Sequence, residues 1–515
     1  MADQEQSGSG ETKNASPLRE ITQPFIDLAH APRALWGINF PYLLEGFCYF
    51  GILQYLAMYF VQYAGQDDIW SQRSKMVLTA GITIAMFLFG GRADKWGVRF
   101  ALLAAFVLMI AGRSVLAFAP LAGGTGAASP MYVLAICGLL LVVLGYGMYQ
   151  PAAYAGVRQF TTPATAGMGY AMLYALMNLG GWLPSFMTPI RDRYGIAGAY
   201  RFYAALTVVS LIMTWLILTR RTVQQARAAV AAAASTPPQP ATPAQAEEPR
   251  KDFWDRIAHW LVNHPLADAK FAFFIFCLIP VQTLFAFNFG TYQAYVDRAY
   301  SVPAVLATAG IPVPATPAPA EEAKPGTAKR LKYADLPQQI REKLTLGQRW
   351  TIWAGEHFEA ATSLNSLLIF ILVPIITALT QKRKVYNMMI TGTFVMAAPT
   401  FLLALGPSVF TLGAFVILMT LGEAMWQPRF LQYAAEIAPE GRTGAYMGVA
   451  QFPWFLTKMI VPVYEGWFLK KYCPLGGQLN TQTMWFIYGC IAMGTCILLL
   501  LAKGWVGKDF KTKAT

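Results

Sequence analysis

Five ionisable residues stand inside long apolar stretches of this 515-residue chain: Glu45, Arg113, Glu423, Arg429 and Lys458. An ionisable group at mid-bilayer costs roughly 2.5–3.5 kcal/mol even on lenient scales, so each is a functional candidate first. Two buried carboxylates and a set of buried cations suit proton exchange and anion recognition. Glu45 shares a helix face with Tyr42 and Tyr49, at spacings i−3 and i+4. Desolvation raises a carboxylate's pKa and a nearby cation lowers it. A glutamate that meets water and a cation in turn can therefore load and release a proton. Glu423, one turn from Gln427, offers the same chemistry. The four histidines (His30, His259, His264 and His357) fall in loops or at segment ends, so Glu45 and Glu423 are the expected proton carriers. The competing reading of each is a structural ion pair between helices. Arg113 lies about 14 residues into its apolar stretch, or roughly 21 Å at helical rise. Lys458 lies at similar depth in the equivalent stretch of the second half. Either binds an anionic group of a solute or holds a glutamate. Arg429 lies nearer a membrane face, where a long side chain snorkels.

The elements that must position these groups are read from a repeat. Gly145 to Pro151 reads GYGMYQP and Gly422 to Pro428 reads GEAMWQP, an offset of 428 − 151 = 277 residues. The same offset links Gly167 to Gly444. Parallel halves of this kind are the sequence trace of a protein whose halves rock about a central site. The copies differ tellingly at Tyr146 and Glu423. Pro151 and Pro428 each remove a backbone bond inside a helix and leave a carbonyl free upstream, which suits bending. Gln150 and Gln427 precede those prolines. With them, Tyr149, Tyr154, Tyr174, Tyr292, Trp426 and Trp454 are the polar and aromatic residues expected near a central cavity.

Composition supports this frame. The chain is 56% hydrophobic and 13% charged, with mean hydropathy +0.40. About 20 apolar residues span the hydrocarbon as a helix. Twelve stretches qualify, near 34–63, 75–92, 99–119, 131–157, 164–190, 199–220, 268–294, 361–380, 385–406, 409–437, 443–469 and 480–503. The expected architecture is an all-α membrane protein of twelve transmembrane helices in two six-helix bundles related by a pseudo-two-fold axis. The net charge is +13. Its lysines and arginines collect in one set of loops, and the positive-inside rule then places both termini in the cytoplasm. Arg73, Lys75, Arg191, Arg193, Lys470 and Lys471 are assigned to the shorter outer loops. The basic balance points to anionic lipid rather than nucleic acid as a partner. Six scattered cysteines with no CxxC spacing read as small core residues.

The expected organisation is a polar cytoplasmic N-terminus (1–33) without a cleavable signal, a first bundle (34–221), a cytoplasmic linker (222–266), a second bundle (267–504) and a basic tail (505–515). Residues 222–252 are Ala-, Pro- and Gln-rich and read as flexible. They lead to a short amphipathic helix in which Phe253, Trp254, Ile257, Trp260 and Leu261 share a face that would lie on the inner leaflet. A long outer loop, 300–355, is expected to be disordered over 303–327 with a surface helix at 334–344.

Family resemblances are carried by specific motifs. Gly90, Asp94, Lys95, Gly97 and Arg99 in GGRADKWGVRF fit the G-x-x-x-D-R/K-x-G-R/x-R/K loop of the major facilitator superfamily. That resemblance implies the major facilitator fold and a gating role for this loop. Within the superfamily the chain resembles the proton-coupled oligopeptide transporter branch. Glu45 opens EGFCYFGILQYL, similar to E-R-F-x-Y-Y-G-M-R. Tyr174, Asn178 and Gly180 fit F-Y-x-x-I-N-x-G. Asn365 and Pro374 are placed like N-P-L-x-I…P, and Glu423 and Pro428 like G-E-x-x-x-S-P. The branch's E-x-x-E-R is reduced to Tyr42, Glu45 and Gly46, and its Lys before the helix-four proline is Gln150.

The resemblance implies a multi-pass plasma-membrane symporter (inner membrane in a bacterium). It would act as a monomer by alternating access, importing a small polar solute such as an oligopeptide with protons. The loss of those basic groups leaves another organic solute open, whether an organic anion, a nucleoside or a drug. A receptor that binds without transporting keeps the same fold. A phosphate-binding GxxxxGK[ST], an HExxH and a GxSxG are all lacking, so neither an enzyme nor direct ATP coupling is expected, and no cofactor or metal.

Overall fold

The computed structural model describes residues 33–89, 96–161, 163–233, 264–288, 290–314, 331–380, 383–436, 446, 449–450 and 452–506. Six long helices form the first half: α1 (Arg33–Ala64), α2 (Asp68–Phe89), α3 (Val98–Phe118), α4 (Pro130–Phe160), α5 (Pro163–Trp182) and α6 (Thr188–Ile217). Local chemistry sets their ends. Asp67 accepts from Trp70 N at 2.9 Å at the start of α2. Ser129 caps α4 with Pro130 at its first position. Gly195, at φ 68, breaks α6 near its start, so the expected span 199–220 covers only the part beyond the kink.

A seventh helix, α7 (Arg220–Ala233), follows. It corrects the expectation of a flexible linker from 222: the alanine run has high helix propensity, and Arg227 donates to Gln159 at 2.6 Å. The amphipathic segment 253–261 lies outside the described residues, as do Gly90, Asp94, Lys95 and Gly444.

The second half begins with one expected span broken into three: α8 (Ala269–Cys277), α9 (Ile279–Phe287) and α10 (Thr291–Ala299). Pro280 interrupts the first junction. Next come α11 (Val302–Thr308), α12 (Gln338–Lys343) and α13 (Leu346–Glu356). α11 and α13 correct the loop expectation, α12 falls within the surface helix expected at 334–344, and residues 315–330 lie outside the described residues. Residues 302–308 are helical, capped by Ser301, and α13 is opened by a Thr345–Gln348 capping box. Val302, Val305, Leu306, Leu336, Leu344 and Ile352 close a small apolar core of their own, so the segment folds as a cap. The proline-rich run between had masked this periodicity. The remaining helices are α14 (Phe358–Thr380), α15 (Val385–Ala397), α16 (Thr400–Leu403), α17 (Val409–Glu436), α18 (Phe452–Tyr472) and α19 (Thr481–Leu501).

Nine segments among the described residues are long and apolar enough to cross a bilayer. The other expected spans are present as α2, α5 and α18, and two of these carry charges: Asp68, Arg73 and Lys75 on α2, and Lys458, Glu465, Lys470 and Lys471 on α18. The repeat is visible in the packing. α4 lies along α3, and α17 along α15. A Cβ on Gly145 would meet Met109 Cγ at 2.6 Å and Ala105 O at 3.0 Å. A Cβ on Gly422 would meet Met396 N at 2.2 Å and Gly392 O at 2.6 Å. Each repeat glycine thus lets its helix press against the preceding helix of its own half.

Candidate functional site

Glu45 is fully buried between α1, α3 and α4. Arg113 grips it with both terminal nitrogens: Nη1 lies 2.8 Å from Glu45 Oε2, and Nη2 donates to Oε1. Arg113 Nη1 also donates to Thr207 on α6. Tyr146, the repeat counterpart of Glu423, donates its hydroxyl to Glu45 Oε1. The Tyr42 ring stacks on Tyr149 at 5.8 Å and the Tyr49 ring lies 5.2 Å from Tyr146, so the expected 42/45/49 face turns toward α4. Arg113 is 1% exposed. In this conformation it is spent on Glu45 and offers nothing to a solute.

The second half is built differently. Glu423 is buried on α17, where Asn365 Nδ2 donates to it at 3.1 Å and to Thr420 at 2.9 Å. Among the described residues no cation pairs with it. One turn on, Gln427 accepts from Tyr174 of the first half at 3.4 Å. Asn178 is turned back onto its own helix, donating to Tyr174 O at 2.9 Å. Trp426 donates to Met396 Sδ at 3.1 Å, and its ring lies 6.4 Å from Phe285, which stacks on Trp454 at 4.8 Å. Lys458 Nζ sits 5.9 Å from the Trp454 centroid. Arg429 donates to Thr380 at 3.2 Å. Gln150 is half-buried and Tyr154 exposed on α4. Tyr292 is buried on α10 against Phe415, at 5.8 Å between ring centroids, away from this group.

Sequence reasoning missed a third constellation. It joins the two halves at the end that carries the cap built from residues 302–314 and 331–356. Arg298 makes a bidentate pair with Asp68, at 2.6 and 2.9 Å. Lys75 meets Glu465 at 3.1 Å, and Glu465 also accepts from the backbone N and hydroxyl of Thr291, where α10 begins. Glu359 accepts from Tyr55 at 2.8 Å and Thr188 at 3.0 Å, and pairs with Arg191 at 2.9 Å. Gln54 donates to Thr362 and Ser363, at 2.7 and 2.8 Å. The cap joins in through Lys332, which pairs with Asp192 at 2.5 Å. Lys75 was assigned to an outer loop; it lies inside α2 and is 2% exposed. The Asp67–Asp68 pair was the overlooked signal, because an acidic cap there starts the helix seven residues earlier. Glu465 was legible too, as a carboxylate seven residues from Lys458 on one face.

At the opposite end, Arg99 Nε donates to Leu218 O at 2.6 Å, tying the start of α3 to the end of α6. Gly97 takes φ 81, the backbone only glycine adopts readily.

No protein-family model matches the chain. It is 36% identical over 138 residues to an Agrobacterium vitis protein described as "Putative tartrate transporter", and 32% over 139 residues to a second so described from the same organism. Those matches take in 26% and 27% of this chain and span only 30% and 29% of the relatives. Solved structures are similar over nearly the whole length. A peptide transporter POT in complex with alafosfalin aligns at TM-score 0.62, with 16% identity over 93% of this chain and 96% of that one. A POT family transporter in complex with 5-aminolevulinic acid gives 0.60, with 15% identity over 92% and 97%. The xylose transporter XylE from E. coli, inward open, gives 0.59, with 13% identity over 93% and 97%. The chain is an all-α, multi-pass membrane protein with the major facilitator fold. Within that fold it resembles the POT peptide transporters.

Proposed function

We propose that this protein is a proton-coupled secondary transporter that imports a small polar solute by alternating access. The observation that carries the reading is the uneven joining of the halves. Cross-half ion pairs and hydrogen bonds gather at the cap end, while near the middle Tyr174 reaches Gln427 over a longer 3.4 Å. Such a ladder is what a closed gate requires, and its release would be the closing step's reverse. A buried carboxylate that no cation pairs with among the described residues, Glu423, lies between the ladder and the other end. It takes a proton from water when its side is open, forming an O–H bond, and returns it to water on the other side. Glu45 is the second proton carrier only when Arg113 lets go of it, so its turn depends on motion of α1 against α3.

The relatives described as putative tartrate transporters, matched over 30% and 29% of their length, and the peptide-transporter fold support transport of a small polar solute. By charge distribution both termini face the cytoplasm and the cap faces outward. The protein works as a monomer in lipid, and the Gly97–Arg99 turn belongs to the cytoplasmic gate. The experiment is reconstitution into proteoliposomes with an imposed pH gradient and an internal pH dye, over a panel of peptides, organic acids and nucleosides. At least one solute should carry protons inward; a panel that moves none would remove the symporter reading.

A further inference from the structure

We propose that the transported solute carries a carboxylate and that Lys458 binds it, in the second half of the cavity. This rests on the transporter reading and adds the chemical class. In the spanning helices, the other buried cations singled out are engaged. Arg113 holds Glu45, Lys75 holds Glu465, Arg298 holds Asp68 and Arg429 donates to Thr380. Lys458 has no carboxylate within ion-pair distance among the described residues; its recorded neighbour is the face of Trp454 at 5.9 Å.

Its direction is fixed by its helix. Lys458 and Glu465 are seven residues apart, hence on one face of α18 and about 10 Å apart along it. Glu465 meets Lys75 of the other half, and Gly466 beside it packs on the backbone of Asp68 and Ile69. Met459, Ile460, Val463 and Trp467 form the exposed side of the same helix. Lys458 therefore points toward the space between the halves, two turns below the ladder. The Trp454 ring beside Lys458 stacks on Phe285, which lies against Trp426, and Glu423 stands one turn before Trp426. Gln282, on α9 one turn before Phe285, is fully buried with neither polar side-chain atom hydrogen-bonded. A half-buried ammonium with no carboxylate beside it among the described residues and an unsatisfied buried amide call for a ligand with acceptors.

The charge balance agrees. Lys458 and Glu423 bring one ammonium and one carboxylate to this region. A monoanion on Lys458 is balanced when Glu423 carries a proton, so solute and proton load as a neutral pair. Arg113, the mid-helix cation of the first half, does not compete because Glu45 closes it.

The test uses the purified full-length chain in detergent. Binding of succinate, lactate and a dipeptide is titrated by thermal shift and calorimetry, each acid against its amide. Carboxylates should bind and their amides should not. Lys458→Gln should weaken carboxylate binding by about tenfold or more, and Lys458→Arg should retain most of it, with both variants melting like the parent when no solute is present. Equal binding of acid and amide, unchanged affinity in Lys458→Gln, or no carboxylate binding at all overturns the proposal. Should Lys458→Gln fail to fold, Lys458→Arg and the acid–amide comparison on the parent still decide it. Parallel uptake assays separate the two claims. Carboxylates that bind without proton movement would sink the transporter reading and leave the anion site. A neutral solute carried with protons by Lys458→Gln as well as by the parent would do the opposite.

Discussion

At the scale of residues, the two glutamates have different lives. Glu45 is held by an arginine and a tyrosine, and Glu423, among the described residues, by an amide. Removing one member of a buried pair strands the other charge, at a cost of roughly 3–5 kcal/mol. Arg113→Leu should therefore lower the melting temperature sharply, and adding Glu45→Leu to it should recover much of the loss. Equal melting of the single and double variants would show that the pair is not coupled. The carboxylates were legible in the sequence because charge inside an apolar stretch is conspicuous. Their partners were not. Arg113 is 68 positions from Glu45 and Tyr146 is 101 positions away, and nothing local in the chain encodes such contacts. The repeat came nearest: it aligned Tyr146 with Glu423 without telling that the tyrosine would serve a glutamate from another helix.

Among elements, the repeat glycines set how closely helices approach. A methyl on Gly422 has backbone within 2.2 Å, whereas one on Gly413 of the same helix meets nothing within 4 Å. Gly422→Ala should destabilise by about 1–3 kcal/mol through overpacking. Gly413→Ala should be neutral or slightly stabilising through helix propensity. Thermal melts of the two variants check this, and equal effects would contradict it. Helix number, order and halves were legible because hydrophobic length and an internal offset report them directly. The cap was not. Composition between 303 and 327 announces prolines, while the apolar core is assembled from Val302, Leu306, Leu336, Leu344 and Ile352, on both sides of that run.

For the whole molecule, the ladder of Asp68–Arg298, Lys75–Glu465 and Glu359–Arg191 fixes one closed end. A reducible bifunctional thiol crosslinker bridging Asp68→Cys and Arg298→Cys, in a background with Cys137, Cys473 and Cys490 replaced by serine, should stop uptake and release it on reduction. Transport unaffected by the crosslink would mean that this end does not open. Breaking the ladder with Glu465→Gln should instead raise labelling of cysteines placed between the halves. The central claim is that protons move with solute through Glu423, and the most direct measurement compares two transport modes of Glu423→Gln in proteoliposomes. The account predicts that uphill accumulation driven by a pH gradient is lost while solute counterflow at equal pH persists. Loss of both together, or uphill accumulation that survives, would contradict it.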